Sequence, residues 1–346
     1  MSRDRRARTG AAETAAGRPT RRRRRRRRAV VVGVVVLGLV AATAVALAGL
    51  RGVAGTALAD LQRLTGVVTP GAGASAGDGR PLDGPFLLVG SDARGAAQVE
   101  GDGDWVPGAQ RSDVMVLGRV TPAGEVLLVS LPRDLWVDVP DHGPAKLNAA
   151  YSWGGPSLLV RTLAQETGVE VQHYAAIDFA GITDLTDAVG GVTVHNPVAM
   201  TAQGVPVAEG EVTLDGPTAL AYLRERKSLP RGDLDRIANQ QRYLLALFDE
   251  VLSPDTLTDP RRARAVLGVV REHVAVDDAT GAADLEALAR ALGTTPGEDV
   301  VAVTVPVAGD GTEQGQSVLY ADDAGAAAVW AAFTAGDAEA LRAAAG

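Results

Sequence analysis

The chain has 346 residues, a net charge of −8 and no cysteine. This length suits one large domain or two ordinary ones. The absence of cysteine excludes a disulfide framework, thiolate catalysis and thiolate metal sites. The charge is unevenly distributed: residues 1–28 hold 13 Arg against Asp4 and Glu13, so this segment carries +11 and the remainder −19.

The first 81 residues predict a membrane anchor followed by a tether. An Arg run at 21–28 is by itself typical of a nucleic-acid arm, but the next 22 residues, 29–50, carry no charge. As a helix this segment rises about 33 Å, which spans a bilayer core of about 30 Å. Arginines directly before an apolar span keep that flank in the cytoplasm. We therefore predict no nucleic-acid partner, a cytoplasmic tail at 1–28, a transmembrane helix at 29–50 and an extracytoplasmic stalk and linker at 51–81.

A cleaved signal peptide is the alternative interpretation of this segment. Ala57-Leu58-Ala59 resembles a small-residue cleavage site. The apolar region of a signal peptide, however, has only about 7 to 15 residues. The longer span favours an uncleaved anchor and a single-pass protein of the cell membrane, with the bulk of the chain outside.

From residue 82 onward, apolar β-branched runs alternate with helical patterns. Strands are predicted at 86–89, 114–120, 125–131, 192–194 and 300–305, with a hairpin turn at 121–124. Helices are predicted at 155–167, 179–189, 216–222, 233–252, 260–274, 282–292 and 324–334. This alternation predicts the α/β class, as an α/β/α sandwich with a central mixed β-sheet.

Cations are concentrated before and within the predicted helix at 233–252. Four arginines fall within thirteen residues: Arg224, Arg226, Arg231 and Arg236. If the chain is extended after the helix at 216–222, Arg224 and Arg226 point the same way. Asp233, Arg236 and Gln240 share one helix face, beside an apolar stripe of Leu234, Ile237, Ala238, Leu244, Leu245, Phe248, Val251 and Leu252. Because guanidinium groups match phosphate oxygens bidentately, this stretch indicates a phosphate-rich ligand; the alternative is a solvated charged face.

Two carboxylates lie at predicted strand ends. Asp92 follows the strand at 86–89, and Asp113 precedes the strand at 114–120. If these strands are antiparallel neighbours, both carboxylates lie at one edge of the sheet and repel each other unless a cation lies between them. Oxygen ligands suit a hard divalent ion such as Mg²⁺. The alternative is turn chemistry, in which each Asp satisfies backbone donors.

Seven ordered motifs resemble the signatures of the LytR-CpsA-Psr family of cell-envelope proteins. They are GSDAR (90–94), RSDVMVL (111–117), LLVSLPRDLWV (127–137), KLNAAYSWGG (146–155), DLTDAVGGVTV (184–194), LDGPTALAYLRERK (214–227) and GDLDRIANQQ (232–241). The resemblance implies one catalytic domain over 82–346, with a motif core at 82–252 and a C-terminal completion at 253–346. The Arg-rich leader and the Ala-rich composition without cysteine suit a high-GC actinobacterium.

The resemblance also implies an activity and a set of site residues. The implied reaction moves a glycopolymer from a polyprenyl-pyrophosphate carrier to peptidoglycan, forming a phosphodiester bond and releasing the polyprenyl phosphate. Asp92 and Asp113 match metal-binding carboxylates, for Mg²⁺ or possible Mn²⁺. The pyrophosphate-binding positions are Arg111, Arg133, Arg224, Arg226, Arg236, Gln240 and Lys146. The implied catalytic residues are Arg133, Arg236 and Asp233, which orients an arginine or accepts the proton of the attacking hydroxyl.

Other functions are open at this point. A polyprenyl-pyrophosphate pyrophosphatase uses the same residues and differs only in that water attacks. A non-catalytic regulator of the envelope or of transcription is a third hypothesis, which the full set of acidic and basic site residues disfavours. A zinc hydrolase is disfavoured because the four histidines, His142, His173, His195 and His273, show no ligand spacing.

Overall fold

A computed structural model describes residues 61–68, 84–91, 110–230, 233–251, 253–281 and 300–344. The predicted tail, the predicted span at 29–50, most of the predicted stalk and the predicted helix at 282–292 lie outside these ranges. No helix within the described residues is long and apolar enough to cross a membrane.

The described residues form strands and helices that alternate along the chain. The strands are β1 (Gln62–Leu64), β2 (Phe86–Ser91), β3 (Ser112–Val120), β4 (Val126–Ser130), β5 (Trp136–Val139), β6 (Gly143–Lys146), β7 (His173–Asp178), β8 (Val192–Asn196), β9 (Met200–Ala202), β10 (Val205–Val207), β11 (Gly210–Leu214), β12 (Val274–Asp277), β13 (Val300–Thr304), β14 (Val307–Glu313) and β15 (Gln316–Ala321). The helices are α1 (Leu147–Thr167), α2 (Phe179–Val189), α3 (Gly216–Arg224), α4 (Asp233–Val251), α5 (Pro254–Thr258), α6 (Pro260–His273), α7 (Asp323–Ala335) and α8 (Ala338–Ala344).

A seven-stranded mixed sheet organises the fold, in the order β1-β12-β7-β2-β3-β4-β13. β2 is parallel to β7 and antiparallel to β3, while β13 is parallel to β4. The predicted turn between β3 and β4 is a hairpin: the amide of Thr121 donates to the carbonyl of Glu125 at 2.8 Å, and Gly124 has φ 87°. The predicted α/β class with a central mixed sheet is therefore confirmed.

Helices cover both faces of this sheet, because successive strand residues point to opposite sides. Phe86 and Leu88 pack in one core with α2, α3, α4 and α6. Leu87 and Val89 pack in a second core with α1, α7 and α8. Strands that are buried on both faces have continuous apolar sequences, which is why β2, β3 and β4 could be predicted from the sequence.

Helix α1 differs from its prediction, because it begins at Leu147 instead of residue 155. Two glycines interrupt the helix without ending it: Gly154 has φ −134° and Gly155 has φ 64° with ψ −158°. Only glycine adopts such angles readily at Gly155. A separate helical segment of about two turns therefore lies between β6 and the break.

Candidate functional site

The candidate site lies at the edge of the sheet where β2, β4 and β7 end and β3 begins. Neighbouring strands lie about 4.8 Å apart, so the four strand ends from β7 to β4 span about 14 Å. The described site residues fall into two groups at this edge. One group is on the side of α1, and the other is on the side of α3 and α4.

Asp113 is placed at this edge by an irregularity in the pairing of β2 with β3. Gly90 pairs with Val114 and Ser91 pairs with Ser112, so Asp113 is an extra residue in β3. A bulge of this kind re-aims the side chain it carries, and bulges are frequent beside active sites. The other predicted metal ligand, Asp92, follows Ser91 directly but lies outside the described residues.

Asp113, Arg133, Asp134 and Lys146 form the strand-end cluster. Arg133 Nη1 is paired with Asp113 Oδ1 and Arg133 Nε lies 3.5 Å from Asp134 Oδ2. Lys146 Nζ donates to Asp134 Oδ1 at 2.8 Å. Each of the four side chains is only about one-fifth exposed, between 18% and 22%. Partial burial reduces the screening of these pairs by solvent, and the cluster as a whole is electrically neutral.

The start of α1 fixes the backbone of the strand-end cluster. The first amides of a helix have no partner within the helix. Here the amide of Leu147 donates to the carbonyl of Leu135 at 2.8 Å, and the amide of Asn148 donates to the carbonyl of Arg133 at 3.1 Å. These bonds explain why the helix begins at Leu147, and they bring Lys146 beside Asp134.

Arg224, Arg226, Arg236 and Gln240 form the arginine cluster. Arg224 is the last residue of α3, so the helix continues two residues beyond its predicted end at 222 and the chain is extended only from Glu225. The two arginines are nevertheless both exposed, because Glu225 between them has extended angles (φ −69°, ψ 131°) and is buried. The guanidinium carbon of Arg224 lies 5.1 Å from the ring centre of Phe179, which directly follows β7. This contact places Arg224 at the same sheet edge as Asp113.

Glu225 holds the loop that carries Arg226. Its carboxylate accepts hydrogen bonds from the backbone amides of Ser228 at 2.9 Å and Gln203 at 3.2 Å. The Ser228 amide is the main cause that lowers the pKa of Glu225, since donated hydrogen bonds favour the charged form. Gln203 lies in the turn between β9 and β10 with φ 47°. Glu225 was assigned no role from the sequence, although its position between two arginines is a pattern that could have indicated one.

Helix α4 buries a polar face that the predicted apolar stripe did not include. Arg236 is 8% exposed and Gln240 is 7% exposed. Gln240 Nε2 donates to the carbonyl of Leu223 at 3.0 Å, which joins α4 to the end of α3. The same buried face continues through Asn239, Tyr243, Leu247 and Val251. Of the predicted stripe, Val251 is buried and Ala238 half-buried, and the other side chains lie outside the description.

The remaining predicted site residues are less fully placed. Arg111 is exposed and precedes β3 by one residue. Asp233 is the first residue of α4, but its side chain lies outside the description. Among the residues that the structure describes, no group of three or more His, Asp or Glu side chains could hold a metal ion. The described half of the predicted metal pair, Asp113, offers a half-buried oxygen ligand that is engaged by Arg133.

Comparison with known proteins identifies the family. Residues 83–334 match the model of the LytR_cpsA_psr family. The chain belongs to this family. The resemblance drawn from the seven motifs is thereby confirmed for the match at 83–334.

Two relatives and one solved structure illustrate the similarity. Cell wall biosynthesis protein LcpA of Corynebacterium glutamicum is 33% identical over 299 residues, covering 75% of this chain and 57% of the relative. The polyisoprenyl-teichoic acid peptidoglycan teichoic acid transferase TagU of Oceanobacillus iheyensis is 34% identical over 199 residues, which cover 56% of this chain and 58% of the relative. The chain therefore spans less than two thirds of either relative. The LytR-Csp2A-Psr enzyme from Actinomyces oris shares the fold, with a TM-score of 0.57 at 21% identity over 79% of this chain and 95% of that chain.

Proposed function

We propose that the protein transfers a glycopolymer from a polyprenyl-pyrophosphate carrier to peptidoglycan during assembly of the cell wall. The observation that supports this most strongly is the gathering of Arg133, Lys146, Arg224 and Arg226 at one sheet edge. Family membership and the transferase activity named for TagU support the same reaction. Guanidinium groups bind phosphate oxygens in pairs of parallel hydrogen bonds, so this edge suits a pyrophosphate.

The arginine cluster would bind the pyrophosphate first. Arg224 and Arg226 are exposed, and neither makes an ion pair with a carboxylate in the described part of the chain. Arg236 and Gln240 lie in the buried face of α4 behind them. Arg224 is held by the ring of Phe179 and Gln240 by the carbonyl of Leu223 before a ligand arrives, and preorganised positive charge stabilises the negative charge that develops on a leaving phosphate.

The strand-end cluster would complete the site by exchanging partners. Arg133 is paired with Asp113 and would give up this carboxylate to bind a phosphate oxygen. Asp113 and Asp92 would then hold a magnesium or manganese ion, whose charge would supplement that of the arginines. Asp134 would keep Lys146 and Arg133 oriented during this exchange, since it contacts both cations.

The chemical step is a phosphoryl transfer to a sugar hydroxyl. The hydroxyl oxygen of the acceptor forms a bond to the phosphorus that carries the glycan, and the bond from that phosphorus to the bridging oxygen breaks. The bridging oxygen leaves with the polyprenyl phosphate, and Asp233 accepts the proton of the hydroxyl. Alignment and charge stabilisation are the main contributions that such a reaction requires of the protein.

The entry point of the chain into the sheet agrees with a membrane-bound substrate. Gln62 of β1 pairs with Ala275 near the start of β12. His273, which precedes β12, is bonded to Asp178 at the end of β7 at 3.0 Å. The chain that follows the apolar segment 29–50 therefore enters at the edge that carries the site. We propose that residues 29–50 anchor the protein in the cell membrane, with the catalytic domain outside and its site edge near the bilayer.

The reaction is tested with the full-length chain in detergent, a synthetic glycosylated polyprenyl pyrophosphate and isolated peptidoglycan. We expect release of polyprenyl phosphate together with glycan bound covalently to peptidoglycan, and a fall of both by about 10- to 100-fold in Arg226→Ala. Arg264→Ala, an exposed arginine on α6, is the matched control. Release that is independent of peptidoglycan and yields free glycan phosphate would identify a pyrophosphatase instead. Binding without turnover, with and without Mg²⁺ or Mn²⁺, would identify a regulatory protein.

A further inference from the structure

Trp153 is an exposed aromatic side chain close to the strand-end cluster. Three large apolar side chains in the described residues are exposed, namely Trp153, Val205 and Val307, and Trp153 is the aromatic one. It is 37% exposed, and its ring is stacked on His142 with the ring centres 5.0 Å apart and an angle of 16° between the planes. Exposed aromatic rings with polar neighbours commonly mark binding surfaces.

Irregular backbone places both rings. Trp153 directly precedes the break in α1, and a Cβ added at Gly154 would lie 2.6 Å from Cβ of Leu158, so glycine is needed there. His142 lies in the turn between β5 and β6, beside Asp141, which has φ 66°. A positive φ is uncommon at a residue other than glycine, and such strain is concentrated at functional sites. Two independent irregularities thus hold one aromatic pair at the surface.

Hydrogen-bonding groups surround this pair. His142 Nδ1 donates to the carbonyl of Pro140 at 2.9 Å, so Nε2 of the neutral imidazole is an acceptor. Arg161 Nη1 lies 3.5 Å from Asp141 Oδ2, and the two side chains are 59% and 78% exposed. The surface therefore combines a flat apolar ring with acceptors and a donor at its rim.

We propose that Trp153 and His142 form a subsite for a sugar ring of the donor glycan. A pyranose has an apolar C–H face that packs on an aromatic ring, and its edge carries hydroxyl groups that need donors and acceptors. Trp153 would pack against the apolar face of the sugar. The donors and acceptors for its hydroxyl groups would come from His142, Asp141 and Arg161. Neither a lipid chain nor a phosphate fits both features, because the former lacks polar edges and the latter lacks an apolar face.

The position of Trp153 favours the glycan of the donor over that of the acceptor. Trp153 lies seven residues after Lys146, which is about two helical turns or 10 Å along α1. A glycan joined to a pyrophosphate at Lys146 would run along this first segment of α1 and reach Trp153 after a short oligosaccharide. This assignment to the donor rests on the proposed function, whereas sugar binding by itself does not.

Sugar binding is tested on the full-length chain labelled with 5-fluorotryptophan. The sequence has four Trp, so fluorine NMR gives few resonances, and Trp153→Phe and Trp330→Phe assign two of them. Cellotetraose and a β-galactotetraose are the probes. We expect the Trp153 resonance to shift while that of Trp330 does not, and His142→Ala to weaken the sugar binding that this shift reports about tenfold. An unchanged Trp153 resonance at saturating concentrations of both probes would overturn the subsite.

Steady-state kinetics then show whether the subsite binds the glycan of the donor or that of the acceptor. For Trp153→Ala we expect the KM for a glycosylated donor to rise about tenfold with little change in kcat, and the preference for this donor over bare polyprenyl pyrophosphate to fall by the same factor. A rise in the KM for peptidoglycan instead would overturn the assignment to the donor. If the wild-type chain transfers no glycan, the proposed function fails, but the fluorine titration still decides whether Trp153 binds sugar.

Discussion

The strand-end cluster and the arginine cluster lie at one edge of the sheet but hold their cations in opposite ways. Arg133 and Lys146 are neutralised by Asp113 and Asp134. Arg224 and Arg226 have no carboxylate partner among the described residues; an aromatic ring and a backbone-bonded Glu225 position them instead. The arginine cluster is therefore ready to bind an anion, whereas the strand-end cluster must first exchange a partner.

This comparison locates the expected metal dependence. A phosphate that approaches Arg133 competes with Asp113 for the same guanidinium group. Removing one partner from a partly buried ion pair leaves an uncompensated charge, which is costly. A divalent ion bound at Asp113 would remove this cost, so we expect metal to act through the strand-end cluster and not through the arginine cluster.

The largest expected effect is that of Arg133→Ala. It removes a cation from the reacting phosphate and leaves Asp113 and Asp134 repelling it, so we expect turnover to fall by about 10² to 10³. Arg133→Lys should restore little, because an ammonium group cannot form the paired hydrogen bonds of a guanidinium. The measurement is the rate of polyprenyl phosphate release. A loss no larger than that in the Arg264→Ala control would contradict a role in charge stabilisation.

Arg226→Ala should have a smaller effect that appears in binding. A hydrogen bond to a charged group contributes about 1.5–3 kcal/mol, so we expect kcat/KM to fall by about 10- to 100-fold. The loss should shrink at high salt, because Arg226 is exposed and its field is screened. Steady-state kinetics from low to high NaCl measure the loss in kcat/KM and its dependence on salt. A loss that is independent of salt would argue that Arg226 has a structural role.

Glu225→Gln tests what positions the arginine cluster. An amide nitrogen cannot accept the hydrogen bond that a carboxylate oxygen accepts, so we expect a loss of about 1–2 kcal/mol in the free energy of unfolding and a raised KM. The folded-state pKa of Glu225 lies below its ordinary value of 4.5. Its contribution is therefore present above pH 4.5 and is lost as the pH falls through the lower folded-state value. Urea midpoints should accordingly converge for wild type and variant at acid pH; a constant difference would exclude this origin.

The smallest effect is expected for Tyr243→Phe, a substitution in the core beneath the arginine cluster. The hydroxyl of Tyr243 is bonded to Thr186 Oγ1 in the core between α4 and α2. Tyr243→Phe should lower the free energy of unfolding by about 1 kcal/mol, with kcat/KM unchanged. Thermal unfolding and the release assay measure the two quantities. If activity falls as well, packing of α4 and the position of Arg236 are coupled.

The parts of the fold that could be predicted from sequence depend on local patterns. Strands β2 to β4 were predicted because burial on both faces makes them continuously apolar. The pair Arg224 and Arg226 was found because both side chains are exposed on either side of the buried, extended Glu225 at the end of α3. The buried polar side chains of helix α4 were not predicted, because they find partners on other elements, as Gln240 does at Leu223.

The missed features depend on contacts between distant residues. Asp134 lies in the motif at 127–137 but was assigned no role from the sequence, because its link to Lys146 needs the β5–β6 hairpin between them. Glu225 is bonded to Gln203, which lies in another hairpin. The bulge at Asp113 is a property of the pairing of β2 with β3 and leaves no mark in either strand alone.

The most direct test of the account is the binding of geranyl pyrophosphate to the full-length chain, measured by calorimetry with and without Mg²⁺. For Arg226→Ala we predict weaker binding under both conditions. For Arg133→Ala we predict a loss of binding, relative to the wild type, that is larger with Mg²⁺ than without it. Equal losses in the two variants irrespective of Mg²⁺ would contradict the exchange of partners at Asp113.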